Sequence, residues 1–232
     1  MSLRVPVPSK TAIKTRELFK DRAYDELRSR LSNCSYVPGT FLSERQLAAE
    51  LGMRKTPVKA ALERLEMEGF ITVSPQSGIV VRELGDDEIA DIYEIRIALE
   101  GYAVKRITNS ITKPQLERWE ATLTALGQIA NQPEKNRLKV VELDEEFHSL
   151  PIQFLGNRQI LQTMQQLSVK NKMVINSVFS LLPDRAGQSL QEHRQIVAAA
   201  RAGDGVTAGQ LMETHIRAGH EILCAARKSR EG

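Results

Sequence analysis

The sequence has little that would mark a secreted, membrane-bound or disulfide-stabilised protein. It contains two cysteines, Cys34 and Cys224, which lie far apart and match no disulfide or zinc-binding spacing. No stretch approaches the roughly 18 consecutive apolar residues of a membrane span, and the first residues lack the apolar core of a signal peptide. With 41% hydrophobic and 26% charged residues, the composition is typical of a soluble globular protein. Together these features predict a cytoplasmic protein.

The net charge is only +3, but it is unevenly distributed along the chain. Residues 1–83 contain 14 Lys and Arg against 10 Asp and Glu, whereas the remainder contains 18 against 19. A basic first third indicates a polyanionic partner for that region. A solvated charged face would explain the same small surplus, so charge alone does not decide between the two.

The N-terminal third has the element order of a winged helix-turn-helix. We interpret residues 1–14 as a flexible arm, followed by a helix over 17–33 with Leu18, Tyr24, Leu27 and Leu31 on one apolar face. Ser43 and Gln46 predict a capping box at the start of the helix ERQLAAEL, which ends at Gly52.

The next elements are a second helix and a hairpin. Thr56 and Pro57 predict the N-cap and first position of the helix VKAALERLEMEG, which stops at Gly69. The segment FITVSPQSGIVVREL then predicts two strands joined by a turn rich in Pro, Ser and Gly. Helix, short helix, tight turn, helix and hairpin together predict a winged helix-turn-helix domain over residues 15–84.

In such a domain the second helix of the motif lies in the DNA major groove, with its N-terminal residues facing base edges and phosphates. That helix end is cationic here, and the preceding helix adds Arg45. A solvated charged face is the alternative, and the cations in isolation would favour it; the ordered arrangement of elements favours DNA. The predicted DNA-binding residues are Arg45, Arg54, Lys55, Thr56, Lys59, Ser77 and Gly78.

From Asp86 onward, helical periodicity is almost unbroken and no strand pattern appears. Breaks at Pro, Gly and Asn delimit six predicted helices. They are roughly 86–109, 114–130, 134–154, 157–181, 184–202 and 205–228. We therefore predict a mainly α protein, with an all-α bundle of about six helices over residues 85–230.

The four histidines all lie in this helical half. In ELDEEFHSL, Asp144 and His148 are four residues apart and therefore share one helical face, at the edge of the buried stripe. His193 and His215 occupy apolar-facing positions on the last two helices. Three imidazoles and one carboxylate could be separate hydrogen-bonded core residues, or they could share one divalent cation such as Zn²⁺, Ni²⁺, Co²⁺ or Mn²⁺. The residues alone leave both interpretations open.

The segment YVPGTFLSERQLAAELGMRKTPVKAALERLEMEGFITVSPQSGIVV resembles the winged-helix domain of GntR-type bacterial transcription regulators. The family pattern has a PG turn, LSE-x-x-LA, LG-x-x-R-TPVREAL, LE-x-EG and a G-x-x-V wing. This chain departs from it at Lys55 and Lys59, where arginine is common, and at Ala60, where glutamate is frequent. Lysine binds phosphate but loses the bidentate reading of guanine, so the operator sequence is not implied.

The helical half resembles the FCD ligand-binding domain of the FadR subgroup of GntR regulators. The matching motifs are EIRIALE (94–100), DEEFHSL (144–150), GNRQIL (156–161), EHRQI (192–196), GD (203–204) and METH (212–215). The resemblance implies that Asp144, His148, His193 and His215 bind a metal and that Arg96 reaches a carboxylate effector. The alternative for Arg96 is a surface salt bridge with Glu100 at i, i+4. His220 matches no metal position, and we interpret it as an ordinary helix residue.

These patterns predict a non-enzymatic regulator that binds operator DNA as a homodimer, and the family resemblance implies that it is a repressor. A small organic or sugar acid bound at the metal would control its operator affinity. One alternative makes the metal itself the signal. A second makes the helical half a metalloenzyme, although the chain has no HExxH motif.

Overall fold

The computed structural model describes the backbone of residues 10–33, 35–74 and 78–231, and the side chains of these residues except 10–17 and 231. Its contacts divide the chain into two compact units, with the division between Glu83 and Leu84. Within the described residues there are nine helices and one three-stranded sheet. None of these helices combines the length and the apolar composition that crossing a bilayer requires.

The N-terminal unit is a winged helix-turn-helix. Helix α3 (Lys55–Met67) packs through the buried Val58, Ala61, Leu62 and Leu65, which are the predicted inward positions. Strand β3 (Gly78–Val81) lies between β1 (Phe41–Leu42) and β2 (Ile71–Ser74) and is antiparallel to both. Strand β1 was not predicted because it has only two residues. The elements are α1 (Lys10–Ser32), β1 (Phe41–Leu42), α2 (Glu44–Glu50), α3 (Lys55–Met67), β2 (Ile71–Ser74) and β3 (Gly78–Val81).

Helix α1 begins at Lys10, so it includes residues 10–14 of the segment that was predicted as a flexible arm. The segment KTAIKTREL contains no proline or glycine, so nothing in it prevents a helix. The rest of the predicted arm, residues 1–9, lies outside the described residues. The predicted apolar face is also corrected, since Leu18 is 57% exposed whereas Tyr24, Leu27 and Leu31 are buried. Leu18 and Tyr24 are six positions apart in the chain, which places them about 120° apart around the helix.

The N-terminal caps of two helices differ from those predicted. Ser43 caps α2 by accepting a hydrogen bond from the backbone N–H of Gln46 at 3.1 Å, but the Gln46 side chain donates to Glu50 at 2.8 Å instead of completing the box. Helix α3 has Arg54 rather than Thr56 as its N-cap. Pro57 still lies in the first turn, where its missing N–H leaves no hydrogen bond unmade.

The C-terminal unit consists of the six predicted helices, with ends within about two or three residues of the expected positions. This confirms a winged helix-turn-helix followed by an all-α bundle. The helices are α4 (Asp86–Ile107), α5 (Lys113–Ile129), α6 (Pro133–Leu155), α7 (Arg158–Leu181), α8 (Arg185–Arg201) and α9 (Gly205–Glu231).

Small residues bring α4 and α9 into close contact. A Cβ added at Gly209 would lie 3.0 Å from the carbonyl oxygen of Gly101, and one added at Gly205 would lie 2.6 Å from the carbonyl oxygen of Lys105. Larger residues would therefore force the helices apart. The Nε1–H of the buried Trp119 donates to the backbone carbonyl of Phe147 at 3.0 Å and so joins α5 to α6. Helix α4 also packs on α6, and α8 packs on α9, so the inward faces of α4, α6, α8 and α9 surround a common interior.

Candidate metal centre and nucleic-acid interface

Three buried histidines from three helices meet inside the C-terminal unit. His148 lies on α6, His193 on α8 and His215 on α9. The Nε2 atom of His215 is 3.1 Å from that of His193 and 3.2 Å from that of His148. One ring nitrogen from each residue therefore faces the same small volume, and this geometry could hold a metal ion.

Asp144 lies beside this histidine cluster, one helical turn before His148. Its Oδ2 atom is 3.8 Å from the Nε2 atom of His148, and its Oδ1 atom is 3.8 Å from the Nε2 atom of His193. Asp144 Oδ1 is buried and has no hydrogen-bond partner among the described residues. The structure thus brings together all four residues predicted as metal ligands.

Two carboxylates that sequence reasoning missed hold the outer nitrogens of two imidazoles. Glu100 lies 2.5 Å from Nδ1 of His148 and accepts a hydrogen bond from Nε of Arg96 at 2.8 Å. Glu192 contacts Nδ1 of His215. An Nδ1–H that donates to a carboxylate leaves the Nε2 lone pair directed at the cluster, as in metal-binding histidines.

The partner of Glu192 is Arg185, which donates two hydrogen bonds to it, at 2.9 and 2.6 Å. His193 is held differently, because its Nδ1 atom has no partner within the described part of the chain. Its ring instead stacks on Phe147, with centroids 3.8 Å apart and planes at 14°. Hydrogen bonds thus orient two imidazoles, and aromatic packing orients the third.

The surroundings of the cluster lower the pKa values of His193, His215 and Glu100. Burial, together with the charges of His215 and His148, lowers the pKa of His193 well below its ordinary value. Burial also lowers the pKa of His215, although Glu192 opposes this effect. Burial would raise the pKa of Glu100, but the charges of Arg96 and His148 override it and lower that pKa to about 2. A lowered pKa favours a neutral imidazole and an ionised carboxylate, which are the forms that a metal site requires.

The donor set fits a divalent cation. When Glu100 and Glu192 accept the Nδ1 protons of His148 and His215, the Nε2 atoms of both histidines carry lone pairs. Two such acceptors 3.2 Å apart cannot bond to each other, and Asp144 Oδ1 also lacks a donor. A cation would be the common partner of these groups, and nitrogen with oxygen ligands suits Zn²⁺, Ni²⁺, Co²⁺ or Mn²⁺.

Arg96 lies next to the histidine cluster in a cavity of about 30 Å³ that Asp144, His148 and His215 also line. The salt bridge to Glu100 considered as its alternative role does form, but both side chains are buried rather than exposed. Only Nε of Arg96 is used in that bond, and its terminal nitrogens have no acceptor among the described residues. The salt bridge therefore leaves two donor groups of Arg96 available beside the cluster.

The predicted DNA-binding cations lie on the surface of the N-terminal unit. Arg45 is on α2, Arg54 caps α3, and Lys55, Thr56 and Lys59 lie in the first two turns of α3; all five are exposed. The four cations form no ion pair with another described residue. Cations without partners at a helix N-terminus, whose free N–H groups also favour anions, form a surface suited to phosphate.

At the wing, Gly78 has a φ of 80°, which disfavours other residues, and an added Cβ would lie 3.0 Å from the carbonyl oxygen of Leu42. A glycine is therefore needed here for the wing itself, whether or not DNA is bound. The other predicted wing residue, Ser77, lies outside the described residues.

Comparison with known proteins supports the division between the two units. Residues 19–81 match the sequence model of the bacterial regulatory proteins of the gntR family, and residues 91–218 match that of the FCD domain.

Two curated relatives are similar over most of their length. The HTH-type transcriptional repressor RspR of Escherichia coli (strain K12) is 26% identical over 225 residues, which cover 95% of this chain and 94% of RspR. The uncharacterized HTH-type transcriptional regulator YdhC of Bacillus subtilis (strain 168) is 25% identical over 193 residues, which cover 83% of this chain and 85% of YdhC. The solved structure of E. coli McbR/YncC has a similar fold, with a TM-score of 0.76 at 22% identity, over 89% of this chain and 97% of McbR.

Proposed function

The chain belongs to the GntR family of bacterial transcription regulators with an FCD domain, and we propose that a small carboxylate bound at a metal site in this domain controls its affinity for operator DNA. Like these relatives, it is a DNA-binding regulator rather than an enzyme. The hypothesis of a metalloenzyme tethered to a DNA-binding domain is therefore not supported.

The observation that carries the proposal is the convergence of three histidine Nε2 atoms beside the unpartnered Asp144 Oδ1. We assign Asp144, His148, His193 and His215 as ligands of a divalent cation, with Glu100 and Glu192 orienting two of the imidazoles. When bound, the cation would supply a positive charge that attracts a carboxylate. Arg96 is the second attraction for that carboxylate, because its terminal nitrogens are unused.

In the N-terminal unit we propose that the first turns of α3 enter the major groove. Arg54, Lys55, Thr56 and Lys59 would contact bases and phosphates there, Arg45 would contact the backbone, and the wing with Ser77 and Gly78 would approach the duplex. The protein would act in the cytoplasm as a homodimeric repressor on a near-palindromic operator. A ligand that binds one arrangement of the dimer more tightly than the other would change the affinity for the operator. The size of this change is set by the difference between the ligand's affinities for the two arrangements.

The test combines metal analysis with an operator gel shift on the full chain. Protein purified without chelator is expected to contain about one divalent ion per chain, and a cognate acid is expected to release the operator. His193→Ala should lose the ion and the response to acid. His220→Ala is the matched control for metal content, because His220 lies outside the cluster and stacks on Tyr93. An equal metal content in His193→Ala and wild type would contradict the assignment.

A second candidate makes the metal itself the signal. The three histidines and Asp144 offer four donor groups, which are enough to bind a metal ion without an organic ligand. In that case chelation alone would release the operator, and no acid would change the shift.

A further inference from the structure

A cleft between α6 and α7 has no role in the metal site or in the DNA-binding surface described above. Its volume is about 470 Å³, which is within the usual range of sites that bind small molecules. The buried residues Glu100, His148 and Asn171 form its floor, and the exposed Gln153 and Gln165 lie at its rim. The cleft is separate from the cavity of about 30 Å³ that contains Arg96, Asp144 and His215, because none of these three residues lines it.

The walls of the cleft are largely apolar. Ile152 of α6 and both Leu161 and Met164 of α7 line it. The flexible thioether of a methionine adapts its shape to an apolar partner, in particular to an aromatic ring. At the rim, the Gln153 carboxamide is already used, since it donates a hydrogen bond to the hydroxyl of Ser149 at 3.2 Å. The walls therefore favour the apolar part of a ligand.

Asn171 is the polar group that the cleft leaves available. Its side chain is only 5% exposed, and its Oδ1 atom has no hydrogen-bond partner among the described residues. A buried acceptor without a partner is destabilising, so most such groups in native proteins bind protein, water or ligand. The carboxamide also carries two N–H donors beside this oxygen. A ligand with a donor next to an acceptor would pair with both sides of the Asn171 carboxamide.

The charges around the cleft favour a neutral ligand. The described residues that line it include no lysine or arginine, so a carboxylate would find no cation there. Its two carboxylates already have partners, Glu100 in Arg96 at 2.8 Å and Glu145 in Lys172 at 2.8 Å. A charged ligand of either sign would therefore lose its hydration without gaining an unpaired counter-ion.

We propose that this cleft is a second ligand site, which binds a neutral carboxamide or lactam with an apolar ring or chain. The N–H and carbonyl groups of the ligand form paired hydrogen bonds with the carboxamide of Asn171, and its apolar part packs against Ile152, Leu161 and Met164. This inference goes beyond the proposed function, because the ligand is uncharged and its binding does not require the metal.

The test is a set of NMR titrations on the full chain with benzamide, benzoate and benzylamine, which share one ring and differ in charge. Metal-loaded and chelator-treated protein are titrated separately. We expect benzamide to bind at least about tenfold more tightly than either charged compound, the value of one good hydrogen bond. The affinity for benzamide should be the same with and without metal.

Two variants, each with a matched control, locate the binding. Asn171→Leu keeps a similar volume and should weaken benzamide binding about tenfold. Its control is Asn136→Leu, because Asn136 lies outside the cleft and donates to the backbone carbonyl of Gln132 at 3.1 Å. Leu161→Trp should abolish binding by filling the cleft, whereas Leu138→Trp should not, because Leu138 is 52% exposed on α6 and does not line the cleft. An unchanged metal content in all four variants would show that the helical unit is intact.

The other outcomes separate this inference from the proposed function. No binding of benzamide, or undiminished binding in Asn171→Leu and Leu161→Trp, would overturn the second site and leave the metal site untouched. Tighter binding of benzylamine would assign recognition to the carboxylates and overturn the role of Asn171. Tightest binding of benzoate, seen only with metal, would place the ligand at the histidine cluster and refute this inference alone. Benzamide binding by a protein that contains no metal as purified would instead refute the metal site alone.

Discussion

The exposed cations of the N-terminal unit and the ionisable groups around the histidine cluster of the helical unit differ in solvent exposure and in pairing. Arg45, Arg54, Lys55 and Lys59 lie within 15 residues of one another, are exposed, and have no ion-pair partner among the described residues. The groups around the histidine cluster come from α4, α6, α8 and α9, are buried or half-buried, and are paired through Glu100 and Glu192.

This difference determines what each set contributes to stability. An exposed, unpaired cation is fully hydrated and contributes little to folding, so its interactions remain available for DNA. A buried charge must be compensated within the protein, because an uncompensated one is strongly destabilising. Substitutions in the N-terminal set should therefore change binding alone, whereas substitutions in the helical set should also change stability.

The largest effect is expected for Glu100→Ala. It leaves the guanidinium of Arg96 buried without its partner and removes the acceptor of the His148 Nδ1 proton. Breaking one partner of a buried pair costs about 3–5 kcal/mol of unfolding free energy. Urea unfolding followed by Trp119 fluorescence measures this, because Trp119 is the single tryptophan and lies buried in the helical unit.

Glu142→Ala is the matched control for Glu100→Ala. Glu142 also pairs with a cation on its own helix, Lys139 at 2.9 Å, but both side chains are more than half exposed. Its removal should cost less than about 1 kcal/mol. If the two substitutions destabilise the helical unit equally, the contrast between buried and exposed pairs does not hold.

Acidification should destabilise the helical unit through the same carboxylate, that of Glu100. The folded-state pKa of Glu100 is about 2, below the ordinary value of 4.5, so this group stabilises the folded protein above pH 4.5. The stabilisation is lost as the pH falls from 4.5 toward 2 and amounts to about 3 kcal/mol in total. Unfolding of chelator-treated protein at a series of pH values measures it, and Glu100→Gln should lack this part of the slope. An equal slope in the variant would assign the acid sensitivity to other groups.

The two units also differ in how much the sequence predicted. Ser43, Gly69 and the hairpin residues are local signals, so they predicted α2, the end of α3 and the hairpin to within a few residues. The helix starts at Lys10 and Lys55 were misplaced because several neighbouring residues are compatible with a helix end. In the helical unit, periodicity predicted six helices and the inward faces of His193 and His215.

Periodicity could not predict the partners of the histidines. Glu100 and His148 are 48 residues apart in sequence, and their contact depends on how α4 packs against α6. A glutamate on a helix is ordinarily a solvated residue, so nothing local separates Glu100 from the exposed Glu142. Glu192 had a weak signal, because it directly precedes His193 in EHRQI, but which imidazole it holds follows only from the packing of α8 on α9.

A smaller effect, on binding rather than stability, is expected for Arg54→Ala. Arg54 is exposed at the N-cap of α3, so its removal should change unfolding free energy by no more than about 0.5 kcal/mol. If it reads a base, operator affinity should fall by about 1–3 kcal/mol, with relaxed preference at one base pair. Fluorescence anisotropy with operator variants measures both effects. Lys20→Ala removes an exposed cation of α1 and should leave operator affinity nearly unchanged; an equal loss there would indicate a general charge effect.

The smallest effect is expected for Lys59→Ala, and its signature is salt dependence rather than affinity. Lys59 is exposed in the second turn of α3 and forms no ion pair with a described residue, so a phosphate is the partner we expect. Its loss should weaken operator and unrelated DNA alike, by about 1 kcal/mol or less, and reduce the slope of log affinity against log salt by about one. Lys59→Arg should retain the slope, since arginine also neutralises a phosphate. A loss confined to the operator would instead make Lys59 a base-reading residue, and the exposed cations would then differ among themselves as the buried groups do.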